Sequence, residues 1–463
     1  MRTRVAAALA VFSFAVLPAH ADPAADRALA RDVYEQLVEL DTSGELGTVQ
    51  AVAALAQRLR AAGIAPGDLH DVGPSASKRN LVARIHGAGA KQPLLLLAHL
   101  DVVVALRSDW SVAPFSLLER DGYFYGRGTA DDKAMAAIFT TLFIRLIEAK
   151  VVPDRDLILA LTADEEGGDD PGAAWLLRER PELVDAALVL NEGGGGAQRG
   201  GVRLFNGVQA SEKIYANFWL TVTDPGGHSS LPRQDNAVYR LAAALGRLEQ
   251  QPFPVELNEI TERFLARSAA LEGGELGASL AALVRNPNDS AAAARVSERP
   301  RYNALARTTC TPTRLEGGHA DNALPQTARA HLNCRILPWR TPEQVERELA
   351  RIVADERVAI SRGLVDVSAP PSPLDPELMA AVEEITEAMW PGVPVVPTMS
   401  TGATDSRFFR TRGVPAFGVS GLFSDVDDVR AHGRDERLLV SSFYDGLAFL
   451  DRLLRRLAGI PSA

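Results

Sequence analysis

The sequence has 463 residues, 46% of them hydrophobic, which is enough to build the cores of two or three domains. Its formal net charge of −10 and the lack of a Lys/Arg run argue against nucleic acid as the main partner. Only Cys310 and Cys334 are present, which excludes a disulfide scaffold but leaves open either one bridge or two free thiols.

The N-terminal 21 residues have the layout of a cleavable secretory signal. Arg2 and Arg4 precede an apolar stretch that ends in Ala19-His20-Ala21, a small-residue cleavage pattern. We predict cleavage after Ala21 and a periplasmic or secreted mature protein. A membrane anchor is the alternative, but no later segment reaches the ~20 apolar residues that span a bilayer, so we expect no membrane association after cleavage.

The chain then alternates predicted helices with apolar strands. Residues 26–62 predict two amphipathic helices separated by a break at 41–44. The next elements are strands at 80–86 and 93–99, a helix at 131–149, a strand at 156–163, a helix at 172–180 and a strand at 186–191. This order predicts an α/β fold in which helices flank a mixed, mostly parallel sheet.

The pattern changes after about residue 212. The predicted elements are a strand at 214–223, a helix at 235–250, a helical stretch at about 255–300, strands near 304–313 and 326–336, and a helix at 342–355. We interpret them as an inserted α+β domain, after which a helix at 376–390 and a strand at 414–420 resume the first unit. The predicted divisions are a signal peptide (1–21), a first domain in two parts (22–211 and 367–463) and the inserted domain (212–366).

Acidic and histidine side chains follow several of the predicted strands. His99 ends one strand, the pair Glu165 and Glu166 follows another, and Glu192 follows a third. Open α/β sheets place their active sites at the carboxyl ends of their strands. We therefore expect these side chains to converge there.

The residue types in this set are those that divalent metal ions bind. Zinc binds His nitrogen and carboxylate oxygen, and a pair of ions ~3.5–4 Å apart needs a bridging carboxylate with terminal ligands on each side. The candidate ligands are His99, Asp131, Glu166, Glu192 and His432. Asp101 is close enough in sequence to orient His99. Of the adjacent Glu165 and Glu166, one could face the metal and the other could take a proton from the metal-bound water. Each motif alone is more often structural, but their joint order favours a metal site.

These motifs together resemble those of the M20 family of metallopeptidases, whose members include aminoacylase-1, carboxypeptidase S and carboxypeptidase G2. The segments are, in chain order, HLDVV, YGRGTADDKA, TADEEGG, VLNEGG, GGHSS, STGATDSR and AHGRDER. The resemblance implies a two-zinc catalytic domain with an inserted lid or dimerisation domain. It makes Asp131 the bridging ligand, Glu165 the general base and the Asp131–Asp132 peptide bond cis. Cobalt or manganese would also suit these ligands.

The resemblance also implies a role for residues of the inserted domain. His228 matches a histidine that reaches the partner subunit's active site and stabilises an oxyanion, which implies a homodimer. Asn322 and Arg335 match residues that grip a substrate carboxylate, and Gly402 matches a backbone contact to the same group. The alternatives are a surface turn for His228 and a structural salt bridge for Arg335.

The expected function is that of a secreted, zinc-dependent hydrolase. It would cleave amide bonds of peptides or N-acyl amino acids that carry a free carboxylate. An N-acyl-amino-acid deacylase would use the same side chains, so that alternative stays open. A periplasmic metal- or solute-binding protein with a decayed site is the non-enzyme alternative, and the intact Glu165 argues against it because metal binding needs no general base.

Overall fold

The computed structural model describes residues 23–167 and 169–461, so the predicted signal peptide lies outside the described residues. The helices are α1 (Pro23–Glu39), α2 (Val49–Ala62), α3 (Lys133–Glu148), α4 (Gly172–Glu179), α5 (Ala237–Gln250), α6 (Glu259–Glu272), α7 (Gly274–Arg285), α8 (Ser290–Ser297), α9 (Pro300–Ala306), α10 (Pro342–Val353), α11 (Pro376–Met389), α12 (Ser406–Arg410) and α13 (Val440–Leu457). The strands are β1 (Leu69–Val72), β2 (Asn80–Ile85), β3 (Leu94–His99), β4 (Leu118–Arg120), β5 (Tyr123–Tyr125), β6 (Leu157–Thr162), β7 (Leu188–Asn191), β8 (Gly195–Arg199), β9 (Val202–Glu212), β10 (Ile214–Thr223), β11 (Gly227–His228), β12 (Thr309–Gly317), β13 (Ala323–Leu324), β14 (Thr327–Ile336), β15 (Val358–Val365), β16 (Val395–Ser400), β17 (Ala416–Gly418), β18 (Phe423–Asp425) and β19 (Arg437–Leu439).

The larger sheet is mixed and mostly parallel, as the sequence predicts. Its strand order is β1-β2-β6-β3-β7-β17-β9-β8-β18, and β16 pairs with β9. The central strands β6, β3, β7 and β17 run parallel, so their carboxyl ends lie at one edge. Strands β3 and β6 are buried along their whole length because helices cover both faces. Helices α1, α2, α3, α11 and α13 pack on one face, and α4 and α12 pack on the other.

The inserted segment builds a smaller antiparallel sheet with the order β12-β14-β10-β15. Residues of β10 and β14 alternate between buried and half-buried positions, the period expected when one face is covered. Helices α5 and α10 cover that face. Cys310 of β12 and Cys334 of β14 occupy directly paired positions and form a disulfide.

The helical stretch within the insert packs away from the smaller sheet. Phe264 and Leu265 of α6, with Leu280 and Leu283 of α7, are buried in the core of the larger sheet. Helix α6 lies against β16 and β9. The strand predicted near 304–313 is wrong in its first residues, because α9, with proline at its first turn, runs to Ala306 and β12 begins only at Thr309.

The two sheets end near the predicted domain divisions, although the divisions themselves stay a prediction. Strand β9 of the larger sheet ends at Glu212, and a single residue separates it from β10 of the smaller sheet, which begins at Ile214. The smaller sheet ends with β15 at Val365. Within the described residues, no helix has the length and apolar character needed to cross a bilayer.

Candidate metal centre

The ends of three parallel strands and two loops bring the predicted ligands together. His99 is the last residue of β3, Glu166 follows β6, and Glu192 follows β7. Asp131 lies two residues before α3, and His432 lies in the loop before β19. These positions meet at the carboxyl edge of the larger sheet, as the sequence predicts.

The Asp131 carboxylate lies between the two histidines. Its Oδ1 is 3.0 Å from His99 Nε2, and its Oδ2 is 3.1 Å from His432 Nε2. Glu192 Oε2 lies 3.7 Å from His99 Nε2, whereas Glu166 Oε2 lies 2.9 Å from His432 Nε2. Each histidine therefore has its own second carboxylate, and the two halves share Asp131. This is the arrangement that two cations with one bridging ligand require.

The donor set fits a divalent cation. Two overlapping groups, His99–Asp131–Glu166 and His99–Asp132–Glu192, each place one ligand atom per residue within 4.8 Å of the others. Imidazole nitrogen and carboxylate oxygen are the ligands that zinc and related ions take. Asp132 was not predicted as a ligand, although its place beside Asp131 in the sequence was a signal. It is buried, its Oδ2 has no hydrogen-bond partner among the described residues, and the Asp131–Asp132 bond is cis as expected.

Asp101 contacts His99 through its backbone oxygen, whereas the sequence suggested its carboxylate. Nδ1 of His99 lies 3.0 Å from the backbone oxygen of Asp101 but 3.7 Å from its carboxylate. The carboxylate instead accepts hydrogen bonds from the backbone amides of Glu165 (3.2 Å) and Glu166 (3.0 Å). Asp101 therefore orients His99 through its backbone and holds the Glu165–Glu166 turn through its side chain.

The electrostatics of the centre favour bound positive charge. Burial alone would lower the pKa of His99, but attraction to Glu192 and the nearby carboxylates of Asp101 and Asp131, which can accept from its ring, raise it well above its usual value. Hydrogen bonds to Asp131 and Glu166 raise the pKa of His432 to about 10. Burial raises the pKa of Glu192 to about 7. The carboxylates thus favour positive charge on the two histidines, and a bound cation would supply that charge in place of the protons.

Glu165 lies beside the ligands without being one of them. Burial, with repulsion from Glu192, raises its pKa well above the usual value. Arg407 is its nearest cation, with Nη1 3.7 Å from Glu165 Oε1. A carboxylate of raised pKa can both accept and return a proton near neutral pH.

A buried pair that the sequence did not single out joins the two loops of the centre. Glu436 accepts hydrogen bonds from the backbone amides of Ala130 (2.7 Å) and Asp131 (3.1 Å). Arg127 pairs with Glu436 at 2.6 Å and donates to the backbone oxygen of His432 at 3.3 Å. The pair therefore fixes the loop of Asp131 to the loop of His432. Only its place in AHGRDER, four residues after His432, could have indicated Glu436.

The residues predicted to bind substrate make no ion pair or hydrogen bond with the candidate metal ligands in the part of the chain that the structure describes. His228 and Asn322 are exposed neighbours, since β11 pairs with β13 and Ser229 donates its amide to the Asn322 backbone oxygen. No described ion pair or hydrogen bond joins either to a metal ligand. Arg335 stacks over Tyr215, with its Cζ 4.8 Å from the ring centroid, and burial lowers its pKa.

Within the described residues, Arg335 has no acidic partner, and Gly402 contacts a serine. The structural salt bridge considered for Arg335 is absent from the described residues, because no carboxylate lies within 4.0 Å of its guanidinium. The backbone amide of Gly402 donates to Ser400 Oγ at 3.0 Å. The roles of both residues stay predictions.

Comparison with known proteins identifies the family. The sequence model of Peptidase family M20/M25/M40 matches residues 95–456. The chain belongs to this family. The resemblance drawn from the motifs is therefore confirmed, and the protein is an M20-family hydrolase of the metallopeptidase and amidohydrolase type.

Its relatives include an N-fatty-acyl-amino acid synthase/hydrolase and a probable carboxypeptidase. The chain is 33% identical over 379 residues to the human N-fatty-acyl-amino acid synthase/hydrolase PM20D1, covering 79% of this chain and 74% of the relative. It is 29% identical to a probable carboxypeptidase S-like protein 2 of Dictyostelium discoideum, covering 79% and 71%. Its fold matches the M20 metallo-carboxypeptidase Sso-CP2 of Sulfolobus solfataricus with a TM-score of 0.68 at 19% identity, covering 93% and 99%.

Proposed function

We propose that this M20 enzyme hydrolyses the amide bond of N-acyl amino acids, using two zinc ions. The observation that carries the proposal is the Asp131 carboxylate between His99 and His432, with Glu165 held beside it. The similarity to an N-fatty-acyl-amino acid synthase/hydrolase at 33% identity supports the acyl substrate. The predicted signal peptide supports a periplasmic or secreted location.

The ligand roles follow from the distances. His99 and Glu192 would hold one ion, and His432 and Glu166 the other, with Asp131 shared. Bound divalent cations supply Lewis acidity, which polarises the scissile carbonyl and acidifies water. The protein's part is to fix these side chains before substrate arrives, so that the ligands need no reorganisation during the reaction.

Glu165 would transfer the proton. Its side chain is buried next to the ligands and its pKa is raised, so it can take a proton from the attacking water and deliver it to the leaving amine. Arg407 orients this carboxylate from the side of the inserted domain. Loss of a general base of this kind lowers kcat by roughly 10²–10⁴-fold.

Residues of the inserted domain would orient the substrate. The guanidinium of Arg335 lacks an acidic partner among the described residues and so is available for the substrate carboxylate, assisted by Asn322 and the backbone at Gly402. His228 would stabilise the oxyanion of the partner subunit's substrate, which makes the homodimer the active unit.

A surface suited to that homodimer lies on the inserted domain. Strand β12 is an edge strand whose residues are mostly exposed, and edge strands pair readily with another chain. An apolar cavity of about 240 Å³ lies between α5 and this strand, lined by Leu241, Leu245 and Leu315 among others. Pairing of β12 with its copy would cover both features.

Cleavage of peptides at their C-terminal residue is the second candidate function. The similarity to a carboxypeptidase S-like protein favours it. The same side chains serve both reactions, because both substrates present an amide bond next to a free carboxylate.

A substrate panel tests the proposal. We expect mature protein loaded with Zn²⁺ to cleave N-acyl amino acids faster than dipeptides with the same C-terminal residue. We expect Glu165→Gln to retain bound metal, measured by elemental analysis, while kcat falls by about 10²-fold or more. Glu179→Gln, at an exposed position on α4, is the matched control. A metal-loaded protein that cleaves no member of the panel, or a fully active Glu165→Gln, contradicts the proposal.

A further inference from the structure

The chain crosses between the two sheets at two places, and an acidic side chain lies at each crossing. Glu212 is the last residue of β9, where the chain leaves the larger sheet. Asp366 is the first residue after β15, where the chain leaves the smaller sheet. The amide of Asp366 donates to the backbone oxygen of Tyr215 in β10 at 2.9 Å. The position of Asp366 therefore follows that of the smaller sheet.

The short helix α12 binds both of these carboxylates. Its two arginines, Arg407 and Arg410, are three residues apart and so lie on one side of the helix. Arg410 pairs with Glu212. Arg407 Nε lies 3.3 Å from Asp366 Oδ1. Both arginines are buried, so salt and water screen these pairs only weakly. Helix α12 is thus tied to both crossings.

The same helix is fixed to the strand that leads to the candidate general base. Asp405, the residue before α12, accepts a hydrogen bond from Thr162 Oγ1 at 2.9 Å. Thr162 is the last residue of β6, and Glu165 follows it by three residues. The larger sheet therefore sets where α12 begins, while the side chain of Arg407 extends from the helix towards Glu165.

The guanidinium of Arg407 lies between two carboxylates without a hydrogen bond to either. Its Nη1 is 3.7 Å from Glu165 Oε1, and its Nε has no hydrogen-bond partner among the described residues, although Asp366 is close. Nη1 donates instead to the backbone oxygen of Thr404 at 2.7 Å. Attraction between charges at such distances is several-fold stronger inside a protein than in water. A displacement of Asp366 would therefore move the guanidinium, and with it the carboxylate of Glu165.

We propose that Asp366 is a positioning residue that acts through Arg407 on Glu165, so that the placement of the smaller sheet sets the placement of the general base. This inference rests on the proposed function, because it takes Glu165 as the group that transfers the proton. A misplacement of about 1 Å can lower the rate by roughly 10²-fold. The losses should appear in kcat and leave KM little changed, because none of these three side chains is proposed to bind substrate.

The test is a set of double-mutant cycles in the Zn²⁺-loaded protein, using the fastest substrate of the panel. We expect Arg407→Met to lower kcat by about 10- to 100-fold. Arg407→Lys should restore part of this loss, because lysine keeps the charge but lacks the planar fork. Asp366→Asn should lower kcat by a smaller factor and cause no further loss in the Arg407→Met background. Arg412→Met, at an exposed position two residues after α12, is the matched control.

The Glu165→Gln background distinguishes positioning from a general structural role. There, neither Arg407→Met nor Asp366→Asn should lower the residual kcat, because effects that act through one residue do not add. A structural role would lower the residual kcat by the same factor as in the wild type. That result, additive losses from Arg407→Met and Asp366→Asn, or an unchanged kcat in Arg407→Met overturns the inference.

Urea unfolding of the same Zn²⁺-loaded variants gives a readout that needs no turnover. Arg407→Met should lower the midpoint less in the Glu165→Gln background than in the wild type, because the arginine has already lost that carboxylate. Equal shifts would show that the two side chains are not coupled and would overturn the inference. A wild type that cleaves no member of the panel counts against the proposed function, and the unfolding cycle still decides the coupling.

Discussion

At the scale of single residues, the centre depends on a carboxylate that is not itself a candidate metal ligand. Glu436 is fully buried and accepts backbone hydrogen bonds from Gly128, Ala130 and Asp131 while pairing with Arg127. Its negative charge is thereby spread over four donors, which compensates for its loss of hydration. The position of Asp131 is thus set by a residue about 300 positions further along the chain.

We predict that Glu436→Gln weakens metal binding by about 10- to 100-fold, because outer residues that orient ligands have effects of this size. The amide keeps the shape of the side chain but offers one acceptor oxygen, and its NH₂ group faces backbone donors. Metal affinity measured by competition with a chromophoric chelator checks the prediction. Glu182→Gln, whose side chain is 60% exposed, is the control. Equal affinity in both variants would show that Glu436 has no positioning role.

The convergence of the candidate ligands was predictable from sequence, but the residues that hold them in place were not. His99 and Glu192 follow buried apolar strands, and such a strand end is a local signal. Glu436 and Arg127 lie in loops with no periodic pattern, and their contact is visible only after the chain has folded. For the same reason, the choice of the Asp101 backbone over its side chain as the partner of His99 could not be predicted.

At the scale of elements, Lys213 connects the larger sheet to the smaller one. It is buried between β9 and β10, and its Nζ donates to the backbone oxygens of Ala304 and Arg307, each at 2.7 Å. The ammonium group thus satisfies carbonyls at the end of α9, where the helical stretch returns to the smaller sheet. Burial lowers the pKa of Lys213 to about 7.

We predict a pH-dependent difference in stability between the wild type and Lys213→Met. Above pH 7 the unfolded chain, with a lysine pKa near 10.4, binds a proton that the folded chain has lost. The stability of the wild type relative to the variant therefore rises with pH between about 7 and 10. Urea unfolding midpoints at pH 7.5, 8.5 and 9.5 check this. A midpoint difference that is constant or falls with pH would contradict it.

Elements with strong apolar patterns were predicted well, and others were missed. The strand predicted at 214–223 coincides with β10, and α5, α10 and α11 begin or end within a few residues of their predicted bounds. Strand β8 was missed because its glycines indicate a loop, and β15 because its residues are mostly exposed. Their place in a sheet depends on partner strands distant in sequence, which local patterns do not report.

At the scale of the whole molecule, the two edges of the smaller sheet allow a matched test of the proposed homodimer. Leu315 on β12 and Leu364 on β15 are each 67% exposed. We predict that Leu315→Asp converts a dimer to monomers in sedimentation experiments, because a buried charge at a new interface is costly. Leu364→Asp, at the opposite edge, should leave the dimer intact.

The same experiment tests whether activity depends on the dimer. If His228 acts on the partner's substrate, kcat/KM falls together with the dimer fraction in Leu315→Asp, and dilution of the wild type has the same effect. A monomeric wild type, or dissociation by both variants alike, would contradict the predicted interface.

The path of α6–α9 decides which fragments of the protein could be expressed separately. A fragment of residues 212–366 would contain the complete smaller sheet, but also helices whose apolar faces belong to the other core. Expressed by itself it would expose Phe264, Leu265, Leu280 and Leu283 to solvent, and the remainder would lose the cover of β9 and β16. Neither piece would be a soluble unit. A separable small domain would have to omit residues 259–306 and rejoin α5 to β12 directly.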